Sequence, residues 1–166
     1  MHLTEGKSVL MQQEKALKKT NLIQIGIDPE GQINGKASSS ENALYIPWKN
    51  GRLYENGYIS KISHSGELQW QKLIADVNQI TTGTDTDANI YTAWSRNSYY
   101  TEETRGSFLA KLNPDNGEIV WKTELKSHNY IINDLHTVGD TLYAVGQYKG
   151  TKRPLFVAIK RTDGTL

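Results

Sequence analysis

The 166-residue sequence contains no cysteine. This absence excludes a disulfide framework, catalysis by a thiolate and zinc sites with cysteine ligands. The sequence also lacks an excess of charge of either sign, because 19 Lys and Arg against 18 Asp and Glu leave a net charge of +1. Nothing in this balance points to nucleic acid or an anionic membrane. No apolar run approaches the roughly 20 residues that span a bilayer, and no signal peptide is visible at the N-terminus.

The residues that are present favour strands and turns. The chain has 14 Gly, 9 Tyr and 4 Trp, a composition typical of strands joined by tight turns, and its length predicts a single domain over 1–166. Only Met11–Lys19 is rich in helix formers. It lacks an apolar stripe wide enough to dock a helix, so we predict a strand end and a charged loop there, with a short helix as the alternative.

One stretch, Phe108–Trp121, provides the outline of an internal repeat. It reads as an apolar strand, a tight turn closed by Gly117 and a return strand; glycine fits because such turns need a residue at positive φ. Similar strands, each followed by a turn with glycine near its end, occur at Leu22–Ile27, Tyr58–Ile62 and Phe156–Lys160.

A second type of strand precedes each of these and has the same period. Its copies are Ser8–Gln13, Ala43–Trp48, Asn89–Trp94 and Thr141–Gly146, with Tyr45, Tyr91 and Tyr143 at matching places. The third copy is the most complete: an inner strand over 77–83, the two marker strands and an outer strand, EIVWKTEL. Four antiparallel strands in up-and-down order over about 50 residues form a propeller blade.

The sequence therefore predicts an all-β chain of propeller blades. We expect three to four repeats of four-stranded antiparallel sheets, at approximately 7–33, 34–73, 77–125 and 130–166. The Tyr91 and Tyr143 strands carry apolar residues on both faces, which is typical of sheets covered on both sides.

Lys111–Trp121, KLNPDNGEIVW, resembles the tryptophan-docking motif of quinoprotein-type (PQQ-like) propeller repeats. A turn glycine precedes the tryptophan by four residues in that motif, as Gly117 precedes Trp121 and Gly66 precedes Trp70. Lys111 and Asn113 replace the usual Ala and Asp. The pattern is also similar to bacterial β-propeller repeats of extracytoplasmic proteins, a resemblance that implies a periplasmic or secreted location.

Two departures from the repeat predict a partial or open propeller. Gly31 and Tyr45 are only 14 residues apart, which suggests that a strand and its loop are missing there, and the sequence ends at Leu166 where an outer strand is expected. We therefore expect a fragment with additional blades elsewhere, or a ring closed by oligomerisation through open edge strands.

Few residues suggest a metal or catalytic site. Asp85, Asp87 and Asn89 have the alternating spacing of a calcium loop, but the glycine and the acid expected later in that loop are missing, so a hairpin turn is the preferred interpretation. His136, with Asp134, could line a central channel, although a solvent-facing histidine is the simpler interpretation. The four tryptophans recur with the repeat and predict packing between blades rather than a ligand platform.

The long loops between the two marker strands form the candidate binding surface. Tyr and Arg dominate binding hot spots, and function tends to lie in loops on a rigid scaffold; ordinary solvated loops are the alternative. The candidates are Arg52, Tyr54, Arg96, Tyr99, Tyr100, Arg105, Tyr148 and Arg153.

We expect a noncatalytic binding or scaffold module that holds a protein or glycan partner, without a cofactor or metal. The resemblance makes a fragment of a PQQ-like quinoprotein oxidoreductase the alternative. The vicinal cysteine pair typical of those enzymes is absent. A glycosidase would need paired carboxylates in the channel, where the inner strands offer only Asp134.

Overall fold

The computed structural model describes residues 31–33, 35–50, 56–96, 106–125, 130–148 and 150–166. The predicted strands Ser8–Gln13 and Leu22–Ile27 and the segment Met11–Lys19 lie outside these ranges. The described strands are β1 (Gly31–Ile33), β2 (Ser38–Ser39), β3 (Ala43–Asn50), β4 (Asn56–Ser63), β5 (Leu68–Asp76), β6 (Gln79–Thr84), β7 (Ile90–Arg96), β8 (Gly106–Leu112), β9 (Ile119–Leu125), β10 (Tyr130–Val138), β11 (Thr141–Tyr148) and β12 (Pro154–Lys160).

The protein is all-β, and these strands form three antiparallel sheets of five, four and three strands. The first sheet has the order β1-β3-β4-β5, with β2 also paired to β3; the second is β6-β7-β8-β9 and the third is β10-β11-β12. The second sheet has the up-and-down order predicted for the third sequence copy. The described strands do not close into a ring.

The first sheet has an inner strand, although the sequence predicted that a strand is missing before Tyr45. Both β1 and β2 pair with β3, β1 near Trp48 and β2 at Leu44 and Tyr45. They occupy the inner position in two short pieces. Ile33 is their only large apolar residue and is 66% exposed, so the segment lacks the apolar pattern by which strands are recognised.

The sheets pack face to face and bury a core on each side of the second sheet. Ile90 and Trp94 pack with residues of the first sheet, whereas Tyr91 and Ala93 pack with residues of the third. Successive side chains of a strand point to opposite faces, so β7 carries buried apolar residues on both faces because it serves both cores. The absence of alternation in its sequence predicted this correctly.

The inner strands of neighbouring sheets approach each other closely. The amide of Thr82 donates a hydrogen bond to the carbonyl oxygen of Lys36 at 3.0 Å. A Cβ added to Gly83 would lie 2.8 Å from the Cβ of Leu135, closer than real Cβ contacts allow. Glycine at this position therefore permits β6 and β10 to lie side by side.

Tryptophans on the outer strands join each sheet to the turn of the next. Trp70 donates its indole N–H to the carbonyl oxygen of Pro114 at 3.0 Å, and its ring lies 2.9 Å from where a Cβ of Gly117 would be. In the same way Trp121 donates to Arg161 at 3.1 Å and covers Gly164. Both tryptophans therefore pack between sheets, as the sequence predicted.

The other two tryptophans are buried in the sheets themselves. Trp48 stacks on Tyr58, with 4.5 Å between ring centroids, and its indole N–H donates to the Ser60 hydroxyl at 2.9 Å. Trp94 stacks on Phe108 at 5.2 Å. All four tryptophans thus serve packing.

No helix in the described ranges is long and apolar enough to cross a membrane.

Candidate functional site

A groove at one end of the third sheet brings together two of the predicted binding residues, Tyr148 and Arg153. Its volume is about 420 Å³. Tyr148 ends β11, and Arg153 lies just before β12. The residues that line the groove are Tyr130, Tyr148, Thr151, Arg153, Pro154 and Leu155.

The walls of the groove are fixed by the sheet and by its own loop. The rings of Tyr130 and Tyr148 meet edge to face, 6.0 Å apart at 73°. The amide of Tyr148 donates to the carbonyl oxygen of Arg153 at 2.8 Å, and the amide of Lys152 donates back to the carbonyl oxygen of Tyr148 at 2.8 Å. These bonds hold Lys152 at a φ of 53°, a conformation that non-glycine residues adopt only when the surroundings require it.

The groove end of the third sheet adjoins the loop end of the second. The hydroxyl of Ser107, at the start of β8, donates to the carbonyl oxygen of Tyr130 at 2.9 Å. Ser107 is the second residue of β8, so the groove lies at the same end of the sheets as the β7–β8 connection. The hairpin turns that receive Trp70 and Trp121 lie at the opposite ends of their strands.

Arg96 is not among the residues that line the groove. It is exposed at the end of β7, and its guanidinium carbon lies 5.5 Å from the ring centroid of Phe108. Lys122 approaches the same ring at 5.4 Å. Arg96 therefore makes a cation–π contact within the second sheet. The remaining candidates lie outside the described residues: Arg52, Tyr54, Tyr99, Tyr100 and Arg105.

Tyr130 is the aromatic groove residue that sequence reasoning missed. Its position at the start of an inner strand, rather than in a loop between the marker strands, excluded it from the candidates. Thr151 and Pro154 belong to the candidate loop but were missed because only its Tyr and Arg residues were chosen, and Leu155 was missed because it lies outside that loop. The signal that could have identified Tyr130 is its position directly before the apolar pair Ile131 and Ile132, at the start of a strand. Strand ends adjoin the loops, so an aromatic residue there can reach a loop surface.

The groove offers aromatic faces and one cation. Tyr130 and Tyr148 present ring surface with hydroxyl groups, which suits the apolar face of a sugar or a peptide side chain. The exposed Arg153 provides planar donors for a carboxylate or carbonyl group. Such an arrangement can hold a polar partner by stacking and hydrogen bonds.

The Asp85 turn has a structural role, as the hairpin interpretation predicts. Its carboxylate is 1% exposed and lies 2.8 Å from a guanidinium nitrogen of Arg161, in the third sheet's turn. It also accepts hydrogen bonds from the amide and side chain of Asn89 and from the hydroxyl of Tyr91 at 2.9 Å. Arg161 reaches Asp87 as well, at 3.2 Å. Both carboxylates are thus engaged in joining the second sheet to the third.

These contacts shift two pKa values. Burial alone raises the pKa of Asp85, but hydrogen bonds from Asn89, Tyr91 and the Asp87 amide outweigh it, and the net pKa lies below its usual value. The pKa of Tyr91 is raised by burial, by its hydrogen bond to Asp85 and by the charge of that carboxylate. Asp85 thus stays ionised and Tyr91 stays protonated over the neutral range.

Asp134 and His136 lie on the inner strand β10, where the sequence suggested a channel lining. Asp134 accepts from the ammonium of Lys36 at 2.7 Å, so an ion pair joins the first sheet to the third across the second. His136 is exposed. Among the described residues, no group of three or more His, Cys, Asp and Glu could hold a metal ion.

Comparison with known proteins identifies no family for this chain. No family model matches the sequence, and no curated protein matches it. The structure shows an all-β protein with three antiparallel sheets and a groove at one end of the third sheet.

Proposed function

We propose that this chain is a noncatalytic binding or scaffold module of β-propeller type, which holds a protein or glycan partner on the surface formed by its long loops. The groove between Tyr130, Tyr148 and Arg153 is the observation that carries the proposal. Two residues chosen from sequence as loop hot spots, Tyr148 and Arg153, line one groove there, together with a second aromatic side chain, Tyr130.

The propeller type is supported by how consecutive sheets meet. At their inner strands the sheets lie close together, the first meeting the second at Gly35 and the second meeting the third at Gly83. At their outer strands Trp70 and Trp121 join each sheet to a turn of the next. Sheets that are close at one edge and spaced by an indole at the other are arranged like blades about an axis. Periplasmic or secreted location remains an expectation from the resemblance.

The fixed surroundings of the groove support a role in binding. Tyr148 is held by two backbone hydrogen bonds to its own loop and by its contact with Tyr130. Side chains fixed before a partner arrives lose less conformational entropy on binding.

The alternative, a fragment of a PQQ-like quinoprotein oxidoreductase, draws on the tryptophan motif. In this chain Trp70 and Gly117 pack against each other at the junction of two sheets. The motif thus supports an architecture, and propellers host many unrelated functions. No observation on the groove favours a quinone.

A glycan array and a displayed peptide library, both probed with the full chain, test the proposal. We expect binding that is lost in Tyr148→Ala and in Arg153→Ala, is kept partly in Tyr148→Phe, and is unchanged in Lys72→Ala, a cation on β5 far along the chain from the groove. A ligand whose binding does not respond to the two groove variants would contradict the proposed surface. Strong thermal stabilisation by pyrroloquinoline quinone with calcium would favour the oxidoreductase instead.

A further inference from the structure

The groove at the end of the third sheet carries charge of one sign. Its lining includes one cation, Arg153, and no acidic side chain. Lys152 adds a second exposed positive charge beside it, and the sequence from Tyr148 to Pro154 contains three basic residues and no Asp or Glu. Among the residues that the structure describes, no carboxylate pairs with Arg153 or Lys152. The groove is therefore complementary to a ligand with negative charge.

The guanidinium of Arg153 favours a carboxylate as that charge. Its planar fork of N–H donors matches the two oxygens of a carboxylate and can bind both at once. The carbonyl oxygen of Arg153 accepts from the amide of Tyr148 at 2.8 Å, and the following Pro154 restricts the backbone of Arg153 further. The side chain therefore extends from a fixed point at the start of β12.

The two tyrosines provide a flat apolar surface next to this charge. Both are only partly buried, and their rings meet edge to face, so ring surface remains for a ligand. A Cβ added to Gly150 would lie 3.2 Å from Cε1 of Tyr148. Since Gly150 does not adopt a positive φ, its backbone does not require glycine, and the missing side chain leaves this part of the ring uncovered. The apolar face of a sugar ring packs well on such a surface.

The backbone around the groove favours a sugar over an extended peptide. Extended peptides are commonly bound by main-chain hydrogen bonds to a free row of donors and acceptors. Here the amide of Tyr148 and the carbonyl oxygen of Arg153 bond to each other, the amide of Lys152 bonds to the carbonyl oxygen of Tyr148, and Pro154 has no N–H. The groove instead offers the hydroxyl groups of its two tyrosines and of Thr151, which can exchange hydrogen bonds with sugar hydroxyls.

We propose that the groove binds an acidic glycan through a hexuronate residue, whose carboxylate pairs with Arg153 and whose apolar face packs on Tyr148. This assignment rests on the proposed function and names the partner within it. The groove volume of about 420 Å³ lies in the lower part of the range for small-molecule sites, roughly 300–1,000 Å³. It therefore accepts a few sugar units at most, in keeping with recognition of one acidic residue in a longer glycan.

Isothermal titration calorimetry on the full chain tests the proposal with unsulfated oligomers of galacturonate, glucuronate, mannuronate and guluronate. We expect at least one to bind, with a Kd that rises at least about tenfold in Arg153→Gln and in Tyr148→Ala. Arg153→Lys should recover part of the affinity, because it keeps the charge and loses the fork. Lys72→Gln, which removes the same charge on β5 of the first sheet, should leave the affinity unchanged. Failure of all four oligomers to bind overturns the proposal.

The methyl ester of the oligomer that binds keeps the sugar ring and lacks the charge. It should bind the parent at least about tenfold more weakly and should not distinguish the parent from Arg153→Gln. Equal binding of ester and acid overturns the acidic partner but leaves the groove as a binding site. A polyglutamate peptide that binds as tightly as the oligomer, with the same dependence on Arg153, shows instead that the partner is an acidic peptide. A neutral ligand whose binding depends on Tyr148 likewise keeps the broader function and overturns the hexuronate.

Gly150→Leu tests the stacking without removing a polar group. The new side chain would lie against the ring of Tyr148, so acid and ester should both bind more weakly. The variant should keep the far-ultraviolet circular dichroism of the parent, because position 150 is exposed. Unchanged affinity in Gly150→Leu and Tyr148→Ala together would contradict the packing of a sugar on this ring.

Discussion

The indole nitrogen of Trp70 lies 3.0 Å from the carbonyl oxygen of Pro114, in the turn of the next sheet. The ammonium of Lys61, opposite Trp70 in the sheet, donates to the same oxygen at 2.8 Å. Trp121 repeats the indole contact at Arg161, one sheet further on. Since Pro114 and Arg161 each precede their turn glycine by three residues, one arrangement of tryptophan, carbonyl and glycine joins both pairs of sheets.

This arrangement predicts that Gly117 is far less tolerant of substitution than Gly139. Both adopt positive φ, 72° and 55°, so alanine is strained at either, by roughly 1–2 kcal/mol. At Gly117 the added Cβ also meets the Trp70 ring at 2.9 Å, whereas at Gly139 nothing lies within 4 Å. We expect Gly117→Ala to lower the free energy of unfolding, measured in urea, by about 2 kcal/mol more than Gly139→Ala does. Equal losses would contradict a role in sheet docking.

The sequence predicted the second sheet well because its strands obey local rules. Tyr91 and Phe108 mark strands with apolar residues on both faces, and Gly117 marks a turn that only positive φ satisfies. The matching residues of neighbouring copies made the assignment stronger than any single strand would. The docking role of Trp121 followed from the same comparison.

Other features could not be predicted, because they depend on where distant elements meet. The sequence around Lys36 carries no strand pattern, and its place follows from pairing of β2 with β3. The partnership of Asp85 with Arg161 joins residues 76 positions apart. Tyr130 enters the groove only because β10 and β11 lie side by side. Spacing along the chain contains none of these relationships.

The ion pair of Asp85 predicts a strong and non-additive effect on stability. Asp85→Ala removes a buried acceptor and leaves Tyr91 and Asn89 without their partner, so we expect the free energy of unfolding to fall by about 3 kcal/mol. Arg161→Met should cost less, because the other hydrogen bonds to Asp85 remain. In a double-mutant cycle the combined loss should be smaller than the sum of the single losses. Additive losses would show that the two residues do not interact.

The lowered pKa of Asp85 predicts a dependence of stability on acid. The unfolded carboxyl takes up its proton near pH 3.9, at a pH where the folded protein still holds the group ionised. The unfolded state therefore binds more protons as the pH falls, and the stability that Asp85 contributes is lost. We expect the difference in unfolding free energy between the parent and Asp85→Asn to be constant above about pH 5 and to shrink below pH 4. A difference that does not change with pH would contradict the lowered pKa.

Two buried serines that face each other across β7 and β8 should respond to alanine in opposite ways. Ser95 and Ser107 are a cross-strand pair, 7% and 1% exposed. Ser107 donates to the carbonyl oxygen of Tyr130 at 2.9 Å, whereas Ser95 Oγ has no hydrogen-bond partner among the residues that the structure describes. Ser107→Ala removes the partner of a carbonyl oxygen, so we expect a loss of about 1–2 kcal/mol in unfolding free energy.

Ser95→Ala removes a buried hydroxyl whose desolvation no hydrogen bond from the described part of the chain offsets, so stability should be unchanged or rise by up to about 1 kcal/mol. Because the two serines share size, strand pairing and burial, they control for each other in the same urea titration. Ser107 also joins the second sheet to the groove through Tyr130. Ser107→Ala should therefore weaken binding at the groove while Ser95→Ala leaves it intact. A loss of stability in Ser95→Ala equal to that in Ser107→Ala would show that its hydroxyl is hydrogen-bonded in solution.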